Sequence, residues 1–425
     1  MTQMIKRMLK NPYIHFYICL TAIIFSVLYS FAVYPKIKGP LDNKVETDGY
    51  NLLALSIYHN GIFAYYPNKS PTVMRGPVYP AFVAGLSAVS ENYYPYNVQF
   101  AQAILHGLTC LLVFYISRML RGRMMGVAAS LICALHPYLI WYTSRVVIET
   151  LSTFLFTAII FILLYFIQKR TFLMAVLLGF IIGISTLCKQ TYLPFLVIIP
   201  ILLIICGTYK NKFRYSMSIA VIAALVILPW TVRNYNLTGK LIIVHALSGY
   251  NFYIGDFFIR HYTESPLGYA KLVERLNYPV GKNGETITHN WLQSTNAKDG
   301  LEEDQRLTEI ALNGYMDNPM FFLRKLGINA IMFWTMSSTP LTSLITTLMQ
   351  VPLLIIFVFS AFVIMKRHGV FSGIFIPAWL VFIYFLLHLP IFALARFGVV
   401  LIPTMIAYAV LPLFNQSKGN HVIMI

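Results

Sequence analysis

Acidic residues are scarce in this chain. Asp and Glu number only 15 among 425 residues, and charged residues of both signs make up 11%. An ordinary soluble domain carries about 25% charged residues, so the composition excludes a water-exposed globule. Nucleotide-binding signatures are missing as well: there is no G-x-G-x-x-G and no P-loop. The five cysteines (Cys19, Cys110, Cys133, Cys188, Cys206) all fall within apolar runs. That placement excludes a disulfide framework in polar loops, and no Cys/His spacing suggests zinc. No inverted repeat of interrupted apolar segments, the mark of many secondary transporters, is visible.

What is present is apolar. Hydrophobic residues make up 58% of the chain and the mean hydropathy is +0.68. Apolar runs near 13–34, 96–117, 124–142, 147–168, 172–188, 191–207, 216–231, 340–365, 370–388 and 398–414 predict an all-α polytopic membrane protein. At roughly 20 residues per crossing they suggest about 10 spans, with a range of about 10 to 12. Shorter runs at 77–90 and 326–336 read as interfacial or re-entrant helices. The first run ends without a small-residue cleavage site, which predicts a retained span rather than a signal peptide.

Charge predicts the orientation. Lys6, Arg7, Lys10, Arg118, Arg121, Arg123, Lys169, Arg170, Lys210, Lys212, Arg214, Lys366, Arg367 and Lys418 occupy the N-terminus, alternate short loops and the C-terminus, where no acid occurs. Short basic loops stay cytoplasmic, so both termini are expected inside and all the acids outside, or at outer span ends. The net charge of +17 is then a topology signal, with no call for a nucleic-acid partner. The expected organisation is a membrane module over 1–231 with a first outer loop at 35–95, a second outer loop at 232–338, and C-terminal membrane helices over 339–425. Chemistry on the outer face lacks access to cytoplasmic nucleotide sugars, so a sugar donor there needs a polyprenyl phosphate or diphosphate carrier. Its leaving group is an anion suited to Arg or Lys, and its acceptor hydroxyl needs a base such as Asp or Glu.

Asp48 opens a helix-like run that Asn60-Gly61 stops, so it reads as such a base and equally as a helix N-cap, a place Thr47 could also take; the two roles are not exclusive. Arg75 precedes Gly76-Pro77 and is either a phosphate contact or an interfacial anchor. Glu149 enters an apolar span, a costly place for an acid and hence a functional candidate; the rival is an ion pair with Arg145. Lys189 ends the fifth span on the same side, Arg233 closes the seventh, and Arg396 lies between the ninth and tenth; more cations are available than one phosphate needs. The Trp and Tyr residues around Pro229-Trp230 fit an interfacial belt. His106 at mid-span and His388 near an outer end read as histidines bonded to neighbouring helices. Glu46-x-Asp48 could contribute to a divalent-metal site, but a hard cation normally needs more oxygen ligands than this pair offers, so the expectation is no cofactor, with a divalent metal as the alternative.

Five motifs occur in one order: Asp48-Gly49-Tyr50, Arg75-Gly76-Pro77-Val78-Tyr79-Pro80, His136-Pro137 with Glu149-Thr150-Leu151, Pro229-Trp230-Thr231-Val232-Arg233-Asn234, and Gly249 through Asp256. With Asn318-Pro319, Lys325 and Ala395-Arg396-Phe397, they resemble GT-C glycosyltransferases. The likeness is to bacterial relatives of dolichyl-phosphate-mannose protein mannosyltransferases, a group that includes lipid A aminoarabinose transferases. The resemblance implies an inverting membrane enzyme using a polyprenyl-phosphate sugar, with Asp48 as base, Arg75 on donor phosphate and Glu149 as the acid opening the fourth span. Lys189, Arg233 and Arg396 are expected to assist at the phosphate, and Tyr50, Tyr79 and His136, within the same motifs, to meet substrate. Asp48 lacks the adjacent acid typical of the protein mannosyltransferases, which points away from protein mannosylation.

The expected activity is therefore transfer of a sugar to an acceptor on the outer face of the cell membrane, an envelope glycan or lipid ahead of a protein. The competing class is a flippase for lipid-linked sugars, which needs polar groups along a transbilayer path; the predicted mid-span positions are almost free of charge. A ligase or polymerase using a diphosphate donor ranks third, having no need of the Asp48 helix.

Overall fold

The computed structural model describes residues 11–38, 48–66, 70–90, 95–261 and 296–409. Among them there is no β-strand. Helix α1 (Ile14–Leu28) continues through a π-helical turn to Lys38, and the first loop holds α2 (Tyr50–Asn60) and α3 (Val78–Val89). Next come α4 (Tyr96–Arg121), α5 (Arg123–Ala134), α6 (Pro137–Thr143), α7 (Glu149–Lys169), α8 (Phe172–Cys188), α9 (Phe195–Cys206) and α10 (Lys212–Thr238). The second loop carries α11 (Ser248–His261), α12 (Ala297–Asp317) and α13 (Pro319–Thr335). The chain then forms α14 (Pro340–His368), α15 (Ile376–Leu386), the short α16 (Ala395–Gly398) and α17 (Ile402–Ala409).

All ten predicted apolar runs carry helix, but five helices are long and apolar enough to cross a membrane: Ile14–Lys36, α4, α7, α10 and α14. The run at 124–142 is α5 and α6, bent by 55°, a sixth candidate if the pair counts as one span. The helices at the other four runs (α8, α9, α15 and the α16–α17 stretch) are shorter than 18 residues. The run at 77–90 is α3, as long as an interfacial helix. The run at 326–336 is not a separate element. It is the second half of α13, because Asn318 caps the Phe321 N–H and Pro319 starts the helix seven residues earlier than hydropathy suggests.

Most buried apolar side chains form one core inside the bundle, centred on α7 with residues such as Phe156, Ile159, Leu163 and Phe166. A smaller cluster joins the first loop to the bundle through Tyr50, Ala54, Tyr79, Val83 and Leu151. Three local devices hold the polar end of the bundle. Gln99 and Gln102 of α4 donate to the carbonyls of Thr143, Ser144 and Arg145, satisfying backbone left open where α6 stops and α7 has not begun. Gly76 lies so close to the end of α8 that an added Cβ would run into the Leu187 carbonyl oxygen, which sets Arg75 beside that helix end. Asp304 of α12 accepts from the backbone N–H groups of Ser248 and Tyr250, capping α11 from a neighbouring helix.

Burial pushes the Asp304 carboxyl up to about 6 from an ordinary 3.8, against the opposing pull of the Tyr250, Gly249 and Ser248 N–H groups. The folded protein thus holds this proton more tightly than the unfolded chain. The stability linked to it is complete below about pH 4 and is lost as pH rises through about 6. Thermal unfolding in detergent tests this. The wild-type midpoint, relative to Asp304→Asn, falls between pH 4 and pH 7; a difference that stays flat contradicts the assignment.

Candidate active site

A cavity of about 580 Å³ opens at the end of the bundle where the two long loops meet. Its polar wall comes from Asp48, Arg75, Glu149, Lys189 and Arg396, residues spread over 349 positions of sequence. Its apolar wall includes Leu247, Ile254 and Phe258 from α11 and its approach, with Ile391 and Phe392 from the segment before α16. The volume suits a small ligand or headgroup, since such sites commonly span 300–1,000 Å³.

Asp48 is not a helix cap. Gly49 occupies the cap position of α2 without a side-chain hydrogen bond, and both Asp48 (φ 50°) and Gly49 (φ 78°) are left-handed. Asp tolerates that conformation better than most residues, and the two together make a sharp turn that carries the carboxylate away from the helix. Thr47, the other cap candidate, and Glu46, the other acid of the weak metal pair, lie outside the described residues. Asp48 instead meets Arg396: Nη2 donates to Oδ2 at 2.5 Å. The same guanidinium donates through Nε to Glu149 Oε1 at 2.8 Å. Arg396 therefore bridges the first loop and the start of α7.

Arg396 is held in place by its neighbour. The Ala395 N–H donates to the Met336 carbonyl and the Ala395 carbonyl accepts from Gln350 Nε2, pinning α16 to the end of α13 and to α14. Glu149 is 1% exposed and, apart from this arginine, would be an uncompensated charge at the head of an apolar helix. Its ion-pair partner is thus Arg396 and not Arg145, the rival suggested by helical spacing. Its second oxygen, Oε2, is buried without a hydrogen-bond partner.

Arg75 donates through Nη2 to the Asp48 carbonyl at 3.3 Å and lies 5.5 Å from the Tyr50 ring centroid. Its Nε is buried and unpartnered. Lys189 donates to the Tyr384 hydroxyl at 2.9 Å and sits 4.7 Å from the Phe397 ring. His245, also in the wall, is pushed down to about 3 by burial and by nearby Arg75, so its imidazole is neutral in ordinary buffers.

The expected site residues divide. Asp48, Tyr50, Arg75, Glu149, Lys189 and Arg396 share the cavity; Tyr79, His136 and Arg233 do not line it. Arg233 is occupied elsewhere, donating to the Thr72 carbonyl and to Asn234 Oδ1 and packing 4.4 Å from the Trp230 ring. Tyr79 is fully buried and supports the site from behind: its ring meets Tyr50 edge-on and its hydroxyl donates to Gln102 Oε1. His136 precedes α6 as its cap residue and is buried away from the wall. Arg396, expected at a phosphate, spends two donor positions on carboxylates.

Two groupings were not legible in the sequence. His388 was expected to bond only to a neighbouring helix, yet it lines the cavity. His106, Cys110 and Cys133 lie with their candidate ligand atoms within 4.8 Å of one another, although no sequence spacing suggested it. His106 is spoken for: one ring nitrogen meets Ser26 Oγ at 2.8 Å and the other donates to the Cys133 carbonyl at 3.2 Å. It ties α1, α4 and α5 together, as expected of a membrane histidine.

Residues 74–232 match the profile of a family described as dolichyl-phosphate-mannose-protein mannosyltransferase. No curated protein matches the chain significantly in sequence. In structure it is similar to the oligosaccharyltransferase of Archaeoglobus fulgidus in its apo form, with TM-score 0.56 and 15% identity over 94% of this chain and 50% of that one. It is similar too to AglB of the same organism in complex with an inhibitory peptide and a dolichol-phosphate (TM-score 0.55, 16% identity, 94% and 50% covered). This chain spans about half the length of those proteins. The resemblance read from the motifs is thus found again in both sequence and structure, and the fold is of the GT-C, oligosaccharyltransferase-like type.

Removing a bridging arginine leaves two carboxylates facing each other in a half-buried site, a defect of about 3 kcal/mol or more. Arg396→Met should lower stability by that order. Adding Glu149→Gln should recover part of the loss, because the orphaned charge is gone. A double-mutant cycle on unfolding free energy measures the coupling; strict additivity contradicts the bridge.

Proposed function

We propose that the chain is an inverting glycosyltransferase that moves a sugar from a polyprenyl-phosphate donor to a hydroxyl acceptor on the extracytoplasmic face of the membrane. The observation that carries this reading is the Asp48–Arg396–Glu149 bridge in one cavity with two further cations, Arg75 and Lys189. The family profile over 74–232 and the fold shared with a protein solved in complex with a dolichol-phosphate support the donor class.

The roles follow from the geometry. A general base must carry its charge to accept a proton, and Arg396 supplies Asp48 with the counter-charge while fixing one of its oxygens. Asp48 takes the proton from the acceptor hydroxyl as that oxygen attacks the anomeric carbon. A new carbon–oxygen bond forms, the bond from the anomeric carbon to the phosphate oxygen breaks, and its electron pair leaves on the phosphate. One displacement from the opposite side inverts the anomeric centre. Arg75 and Lys189, whose hydrogen bonds to protein are few, face the departing anion. Glu149 positions Arg396 and through it Asp48. The apolar wall from α11 and the segment before α16 receives the first isoprene units of the carrier. The acceptor is an envelope glycan or lipid.

The test uses purified protein in detergent, polyprenyl-phosphate sugars and envelope extract as acceptor. Asp48→Asn should lower turnover by roughly 10² to 10⁴-fold, the ordinary worth of a general base, while still binding polyprenyl phosphate. Arg75→Ala should weaken both donor binding and turnover. An Asp48→Asn variant as active as wild type would remove the base assignment. A wild type that binds lipid phosphate yet never consumes donor would replace transfer with movement of the intact lipid.

A further inference from the structure

The charged side chains of the cavity wall are three cations and two carboxylates. Arg75, Lys189 and Arg396 only donate, and Asp48 Oδ2 and Glu149 Oε1 are taken by Arg396. Two residues of the wall hold a buried acceptor without a protein partner, Glu149 Oε2 and His388 Nε2; His245 Nδ1 is likewise buried and unpartnered there, its role set by the tautomer. An acceptor left unpaired in a buried site is costly, so each asks for a donor from a ligand. The tautomer of His388 follows from its other nitrogen. Nδ1 lies 2.8 Å from the Tyr384 carbonyl, which can only accept, so Nδ1 carries the hydrogen and Nε2 of the neutral ring is a lone pair.

The imidazole is 6% exposed and wedged among three rings, with centroids at 4.7 Å for Tyr384, 5.1 Å for Phe397 and 5.3 Å for Phe333. Phe397 stacks on it and also lies beneath the Lys189 ammonium. A side chain packed this tightly, with one nitrogen fixed and the other unused, is preorganised to accept one hydrogen bond.

We propose that His388 Nε2 and Glu149 Oε2 form a subsite that reads hydroxyl or amino groups on the sugar of the lipid-linked donor, with His388 as a specificity-determining residue. The subsite rests on the donor reading above. A phosphate offers oxygens that need donors and suits Arg75 and Lys189; a sugar offers O–H and N–H groups that need acceptors. The two chemistries of a glycosyl phosphate thus match the two kinds of group in the wall. A neutral acceptor such as an imidazole rejects a sugar lacking the matching hydroxyl, because its own lone pair is then left unpaired.

The experiment compares binding of bare undecaprenyl phosphate with undecaprenyl phosphate carrying mannose, glucose, galactose or N-acetylglucosamine. Full-length wild type, His388→Phe and His388→Gln are used, in detergent. Wild type should bind at least one glycosylated lipid roughly five- to twentyfold more tightly than the bare lipid, the scale of one or two buried hydrogen bonds. His388→Phe keeps the ring packing and should lose most of that gain while binding bare lipid as wild type does. His388→Gln, which retains an acceptor, should recover part of it. A His388→Phe protein that keeps the full preference overturns the subsite, as does a wild type that binds all five lipids alike. If His388→Phe also loses the bare lipid while His388→Gln binds it and shows no sugar preference, the subsite is likewise overturned. Transfer is not needed for this readout, so a wild type that prefers sugar lipids through His388 but transfers nothing sinks the transferase reading and leaves the subsite standing.

Discussion

An acid at the head of an apolar helix must be neutralised or it will not stay there, and this chain meets that constraint with one arginine shared between two acids. Glu149 sits 1% exposed at the start of α7, the helix at the centre of the core. Its partner Arg396 comes from the far end of the sequence, and the same guanidinium reaches Asp48 in the first loop. Because a guanidinium is planar with donors on two edges, it can hold two carboxylates at once where an ammonium would offer a single point of charge. The bridge therefore fixes the relative positions of the first loop, α7 and α16. The cavity exists where those three elements meet.

The surroundings are built to keep that meeting point rigid. Gln99 and Gln102 fill the hydrogen-bonding gap just before Glu149, and Gln102 also accepts from Tyr79, whose ring braces Tyr50. Gly76 lets the first loop lie against the Leu187 carbonyl, so that Arg75 and Lys189 enter the same wall. On the opposite side α11 is capped by Asp304 and clamped further along, where Asp256 accepts from both Lys325 and the Tyr315 hydroxyl. A cavity wall tied down at several points along the helix presents Asn251 and Ile254 in a fixed orientation.

How much of this was legible in the sequence depended on whether the cause was local. The cost of burying charge is local, so Glu149, Lys189 and Arg396 stood out from their apolar context alone. Asp48 stood out from its place before a helix, although its left-handed backbone and lack of capping were not visible there. Partner choice is not local. Helical spacing offered Arg145 to Glu149, while the partner found is 247 residues away. Arg233 has the same sequence context as a phosphate ligand, but its carbonyl and indole partners are set by how α10 packs on the first loop. Hydropathy alone starts this helix only at 326 because it ignores caps; Asn318-Pro319 is the sequence signal for the start of α13. Nothing in the sequence sets His388 apart, because a lone membrane histidine is ordinarily satisfied by a neighbour; the structure shows that one of its nitrogens is not.

The arginine bridge also bears on how the cations divide their work. Four were expected to compete for one phosphate, an arrangement that would leave most of them as lipid anchors. In the fold, Arg233 is committed to the loop and Arg396 to the carboxylates, which leaves Arg75 and Lys189 as the remaining cations of the wall. In the proposed reaction, two cations offset a phosphate monoanion and the charge that grows on it as a bond to carbon breaks. A third in the same place would bind the free lipid phosphate too tightly and slow its release, since affinity for the product adds nothing to the chemical step. Under that proposal, tying Arg396 to two acids keeps it near the chemistry without adding it to the groups that meet phosphate. The neutral His245 beside Arg75 fits the same logic: it adds an aromatic wall and no further positive charge.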